Sequence, residues 1–208
     1  MSQIEYPSHL LSLPDNRASI PLAKRKIIFS IVKKYRLDKC LEAGFSHGVS
    51  SVVIGSATPG TLLTFDRLHV HHYEPNIENL LAQFNLTNVK PIYCEDYIWE
   101  FGKLAEMGER FNFIFIDASH MFTETVAGIA LADRLLTKKG FLILDDLPWV
   151  PSVSLPLNLA QMQQKDRSIG VEQFASASVK KAFQLFLQNN HRYRCVEKER
   201  MAICYKRW

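Results

Sequence analysis

A chain of 208 residues has room for one domain with a sizeable core and a short N-terminal cover, and is cramped for two catalytic domains. Its 47% hydrophobic and 22% charged residues are close to globular averages, which excludes wholesale disorder and a fibrous architecture. The formal net charge of +4 is too mild to mark a nucleic-acid binder, although base gathers at Lys24–Lys26 and along His191–Arg207; no apolar stretch is long enough to span a bilayer.

With no basic patch followed by an apolar run at Met1–Asp15, a cytoplasmic protein with no membrane partner is expected. Cys40, Cys94, Cys195 and Cys204 form no C-x-x-C pair, so they are expected as reduced thiols in or beside strands. Between Ala18 and Tyr35, Ile27, Ile28, Ile31, Val32 and Tyr35 recur at helical spacing. Residues 1–38 are therefore read as a helical cover, and 39–208 as the main domain.

In that domain short apolar runs at Lys39–Ala43, Thr61–Phe65, Val89–Cys94, Phe113–Ile116 and Phe141–Leu144 alternate with helical stretches. Such alternation predicts an α/β fold, a Rossmann-like doubly wound sheet of parallel strands joined by crossover helices. Pro59-Gly60 and Lys139-Gly140 are expected to turn the chain before the second and fifth strands. Residues 147–175, interrupted by Pro148, Pro151 and Pro156, predict an irregular lid. Ala177–Asn189 returns to a helical pattern. Tyr193–Glu197 and Met201–Tyr205 then predict two strands joined at Lys198-Glu199-Arg200, closing a seven-stranded, mostly parallel sheet with an antiparallel last strand.

The first strand and its turn run from Cys40 through Glu42, Gly44, Ser46 and Gly48 to Ser50. Gly44 and Gly48 let the backbone bend and approach a ligand at the start of the next helix. Ser46 and Val49 stand where a dinucleotide fingerprint would place glycines, which weakens the case for NAD. Glu42 points the same way, since an acid suits the cationic end of a sulfonium amino acid better than a pyrophosphate. Asp66, ending the second strand, can accept hydrogen bonds from ribose hydroxyls.

Leu41-Glu42-Ala43-Gly44-Phe45-Ser46-His47-Gly48 resembles the first motif of class I S-adenosylmethionine-dependent methyltransferases, and Asp66 falls where that family keeps its ribose-binding acid. Cys94-Glu95-Asp96-Tyr97 is similar to the family's adenine-holding acidic segment, with Glu95 where a glycine is commoner. The resemblance implies that S-adenosylmethionine is bound by Glu42, Gly44, Ser46, Gly48, Ser50, Asp66, Asp96 and Asp117.

Asp117 ends the fourth apolar run and Asp145-Asp146 end the fifth. Three such carboxylates repel one another unless something positive sits among them, and Mg²⁺ or a similar hard divalent cation suits the role. Asp117-Ala118-Ser119-His120 resembles the Asp-x-x-His or Asp-x-x-Lys segment of metal-dependent small-molecule O-methyltransferases of the catechol and antibiotic-sugar types, and Leu144-Asp145-Asp146 resembles their closing Asp-Asp or Asp-Asn pair. The resemblance implies metal ligands at Asp117, Asp145 and Asp146, and a base at His120. It also implies a small hydroxylated acceptor and leaves room for a homodimer.

Each assignment has a plainer counterpart. Strand-ending Asp residues cap helices, and a lone histidine is commonly scaffolding. His69, His71 and His72 lack the carboxylate or cysteine partners of a transition-metal site, and Trp149 can wall an acceptor or anchor the lid. Two rival functions remain: a nucleic-acid or protein methyltransferase docking through the basic C-terminal strands, and a non-catalytic or hydroxylase-like relative.

Overall fold

Seven strands pair into one sheet of order β3-β2-β1-β4-β5-β7-β6, in a computed structural model that describes residues 4–15, 19–154, 159–165 and 169–208. β1 (Lys39–Ala43) pairs in parallel with β2 (Thr61–Arg67) and β4 (Phe111–Ile116); β3 (Val89–Cys94) and β5 (Leu136–Leu144) extend the parallel sheet on either side. β7 (Met201–Lys206) runs antiparallel to both β5 and β6 (Tyr193–Lys198). The predicted Rossmann-like sheet with its antiparallel last strand is thus observed, and strand order reverses between β1 and β4.

Both sheet faces are buried, so the central strands read as unbroken apolar runs whose neighbours point to opposite sides. Phe113, Phe115, Phe141 and Ile143 pack toward α1 (Leu22–Tyr35) and α2 (Val49–Ala57), in a core completed by Ile28, Val32, Val52 and Val53. Ile114, Ile116, Leu142 and Leu144 face α4 (Tyr97–Glu106), α5 (Phe122–Leu135) and α9 (Ser178–Phe183), meeting Phe101, Ile129 and Phe183. Each such side chain stabilises by about 1.5–3 kcal/mol through burial, which sets the strand tips firmly beside one another.

α1 follows Pro21 and stops at Arg36, whose left-handed backbone (φ 50°) returns its N–H to Val32 and Lys33. Its Arg25 is buried and donates to the carbonyls of Leu13, Pro14 and Ile20, tying the preceding segment down. α3 (Ile77–Gln83) follows β2. The helical pattern expected over Ala177–Asn189 is realised as α9 running into a π turn at Gln184–Gln188.

The turn expected at Lys139-Gly140 is a correction. Leu136 already pairs with Phe111, so the strand starts earlier, and Lys139 at φ 62° sits within it beside the register shift between Phe111 and Phe113. A Cβ at Gly140 would lie 2.8 Å from Leu136 Cδ1 and 3.0 Å from the Asn112 carbonyl oxygen, so the glycine eases a close approach there.

Of the expected lid, residues 155–158 and 166–168 lie outside the described residues; the rest holds short helices α6 (Pro151–Ser154), α7 (Leu159–Lys165) and α8 (Val171–Phe174). The cysteines are free thiols, as expected, in β1, β3, β6 and β7. Among the described residues no helix is long and apolar enough to cross a membrane.

Candidate active site

The reversal of strand order opens a crevice at the carboxyl ends of β1 and β4, where ligands collect in sheets of this kind. The Gly44 N–H donates to Phe65 O and the Asp117 N–H to Ala43 O, each at 2.8 Å, so the three tips are knitted together. Above them lies a cavity of about 750 Å³ lined by Gly44, Ser46, Ser50, Asp66, Asp96, Asp117, His120 and Trp149, among others. Ser19 and Ile20, ahead of α1, and Met162, Ile169 and Gln173, from the segment after β5, complete the wall.

The Asp66 carboxylate is held in place by the Ser46 and Arg67 backbone N–H groups, both at 2.7 Å. Such preset acceptors suit a ligand's vicinal hydroxyls because little ordering remains to be done on binding. Asp96 lines the cavity and also caps α4 by accepting from Ile98 N at 2.8 Å, so its plainer role is real. Arg67, next to Asp66 in the cavity wall, has no motif to mark it in the sequence.

Two residues expected at the cofactor do not line the cavity. Glu42 is fully buried beneath the turn, and one of its carboxylate oxygens accepts from the Ser51 and Thr64 hydroxyls. Burial pushes its carboxyl up to about 7, against hydrogen bonds from Ser50, Ser51 and Thr64 that act downward. Gly48 starts α2 at φ 94°, and a Cβ there would lie 2.7–3.0 Å from Ile77; its glycine serves helix packing.

The three acids expected to hold an ion do converge, but in company that the sequence reading missed. Lys24 of α1 is buried and pairs with both Asp145 and, at 3.0 Å, Asp146. Burial pulls the Lys24 pKa down, but the two carboxylates outweigh it and the net direction is up, so the ammonium form is held. Asp145 is only 2% exposed, whereas the Asp117 and Asp146 side chains are 22% and 31% exposed.

Asp146 takes a left-handed backbone (φ 50°), which Asp tolerates better than most residues. The turn sends its two oxygens apart: Oδ1 to Lys24 and Oδ2 to within 3.8 Å of His120 Nε2. His120 Nε2 is also 3.9 Å from Asp117 Oδ1, and its ring lies 5.0 Å from that of Trp149. Burial lowers the His120 pKa although Asp146 opposes it, so the imidazole is neutral near pH 7. Burial together with Asp145 and Asp146 pushes Asp117 well above the ordinary carboxylate range.

Ligand atoms of Asp117, His120 and Asp146 lie within 4.8 Å of one another, and no other group with metal-holding geometry is found among the described residues. A divalent cation fits the carboxylates of this group by charge as well. Three carboxylates and one ammonium leave an excess of negative charge that such an ion neutralises. The His69, His71 and His72 group instead forms a turn packed on Tyr73 and Tyr93, outside the cavity.

A family described as a methyltransferase domain matches residues 41–147, just over half of the chain and the stretch that holds the strand tips. No curated protein matches the sequence. Among solved structures, the O-methyltransferase from Bacillus cereus in complex with S-adenosylhomocysteine is 16% identical with a TM-score of 0.70, covering 98% of this chain and 93% of its own. The O-methyltransferase TomG from Streptomyces achromogenes, in complex with S-adenosylmethionine, is 14% identical with a TM-score of 0.69, over 99% of this chain and 92% of its own. The S-adenosylhomocysteine-bound methyltransferase from Podospora anserina is 14% identical with a TM-score of 0.66, over 98% and 88%. The chain belongs to the methyltransferase-domain family and has the S-adenosylmethionine-dependent methyltransferase fold.

Proposed function

We propose that this protein transfers the methyl group of S-adenosylmethionine to a hydroxyl oxygen of a small acceptor, with help from Mg²⁺ or a similar divalent cation. The observation that carries the reading is that Asp117 belongs to two groups at once: it lines the cavity with Gly44, Asp66 and His120, and its ligand atom lies within 4.8 Å of those of His120 and Asp146. S-adenosylmethionine supplies an activated methyl group on a sulfonium. Asp66 receives its ribose hydroxyls, Asp96 its adenine end, and Gly44, Ser46 and Ser50 leave room for the remainder.

Asp117 and Asp146 are the carboxylates that would hold the ion, which when bound lowers the pKa of an acceptor hydroxyl. His120, neutral near pH 7, takes the hydroxyl proton at a ring nitrogen. Trp149 and the lid-side residues Met162 and Ile169 present apolar surface that excludes water from the acceptor. The small acceptor, a cytoplasmic setting and a homodimer belong to the same reading, by analogy with O-methyltransferases of this fold.

Incubation with methyl-labelled S-adenosylmethionine and a panel of catechols, phenols and sugar alcohols, with Mg²⁺ or with a chelator, tests it. A labelled ether formed only with Mg²⁺, and slowed about 10²-fold or more in His120→Ala, is the expected result. Unchanged turnover in Asp117→Ala would refute it.

A further inference from the structure

The Lys24 ion pair sorts the three carboxylates into two kinds. We propose that Asp145 is the counter-ion of Lys24 and not a ligand of the divalent ion, which is left to the Asp117–Asp146 pair. The inference rests on the metal-assisted reading above and narrows its ligand set.

An ammonium group buried without a partner costs several kcal/mol, and Lys24 is 5% exposed. Asp145 meets that demand at the matching depth. Its Oδ1 takes both the Lys24 ammonium and, at 2.6 Å, the Asp146 N–H, so that oxygen is already doubly engaged. Asp145 stands outside the group whose ligand atoms lie within 4.8 Å of one another.

The second contact of Lys24 engages only one oxygen of Asp146. At 3.0 Å from Asp146 Oδ1 it meets that carboxylate by one oxygen and leaves Oδ2 on the side of His120, 3.8 Å from its Nε2. The left-handed turn at Asp146 is what allows successive carboxylates to take these two directions. Two carboxylates with the remaining positions open to water or acceptor oxygens is the arrangement Mg²⁺ commonly takes.

Mn²⁺ binding, followed by electron paramagnetic resonance and calorimetry, separates the roles. The double variant Lys24→Met/Asp145→Asn removes the pair together, and is expected to bind Mn²⁺ within about threefold of the wild type. Asp146→Asn is expected to lose at least about tenfold. A folded double variant with wild-type affinity for S-adenosylhomocysteine that loses as much Mn²⁺ affinity as Asp146→Asn overturns the proposal.

A wild-type crystal soaked in Mn²⁺ gives the answer even if the double variant does not fold. Anomalous density on Asp117 and Asp146 with Lys24 still on Asp145 supports the proposal, and an Asp145 oxygen in the ion's shell overturns it alone. A wild type that binds S-adenosylhomocysteine but no Mn²⁺ overturns the metal-assisted reading and this inference together.

Discussion

Gly44 and Asp117 share one space at the reversal of the sheet: a Cβ on Gly44 would lie 2.2 Å from the Asp117 carbonyl oxygen. Gly44 also holds φ 89°, which an L side chain adopts only at a cost. Gly44→Ala should therefore push β1 and β4 apart and destabilise by about 2–4 kcal/mol, the sum of overpacking and backbone strain. Urea unfolding measures this, and S-adenosylhomocysteine affinity should fall with it because the parted tips form the cavity floor.

Asp66 is the acid that the account assigns to the ribose. Asp66→Ala removes a charged acceptor worth about 1.5–3 kcal/mol, so S-adenosylhomocysteine should bind about 10- to 100-fold more weakly in calorimetry. The same change at Asp96 also removes the α4 cap, and should lower thermal stability as well as affinity.

Glu42 makes stability depend on pH. Its folded pKa, about 7, lies above its ordinary 4.5, so the folded state holds the proton more tightly than the unfolded chain. The contribution is full below about pH 4.5 and is lost as pH rises through about 7. The neighbouring acid Asp66 pushes the Glu42 carboxyl in the same direction as burial. Glu42→Gln keeps an acceptor for Ser51 and Thr64 without the buried charge, so denaturant midpoints should show a flatter slope across that window than the wild type.

Arg25 fastens the chain ahead of α1. Arg25→Met leaves the Leu13, Pro14 and Ile20 carbonyls without their donor, at about 1–3 kcal/mol for each buried one. Hydrogen exchange should speed up in the first turn of α1.

What could be read from the sequence was what is local. The strands are apolar runs closed by an acid, and Asp66 and Asp117 stand out by that position, whereas Asp96 is marked by the resemblance of its segment. The Lys24–Asp145 pair spans 121 positions, and Lys24 looks like Lys26, Lys33 or Lys34 in composition. A signal was present: Lys24, Ile28 and Val32 follow one another at i, i+4 spacing on the buried face of α1, so the lysine had to find an acid. The early start of β5 was hidden for a related reason. Leu136 continues the apolar pattern of α5 and only its pairing with Phe111 makes it a strand residue. Glu42 and Gly48 sit in a motif whose pattern fits a ligand, while their neighbours Thr64 and Ile77 come from other elements and reveal packing roles.

The central claim is that the crevice between β1 and β4 takes S-adenosylmethionine. Calorimetric titration of the wild-type chain with S-adenosylhomocysteine, beside the same titration with NAD⁺, tests it most directly. The account predicts saturable one-to-one binding of S-adenosylhomocysteine that Asp66→Ala weakens, and no heat from NAD⁺. Binding of NAD⁺ with indifference to S-adenosylhomocysteine would contradict it.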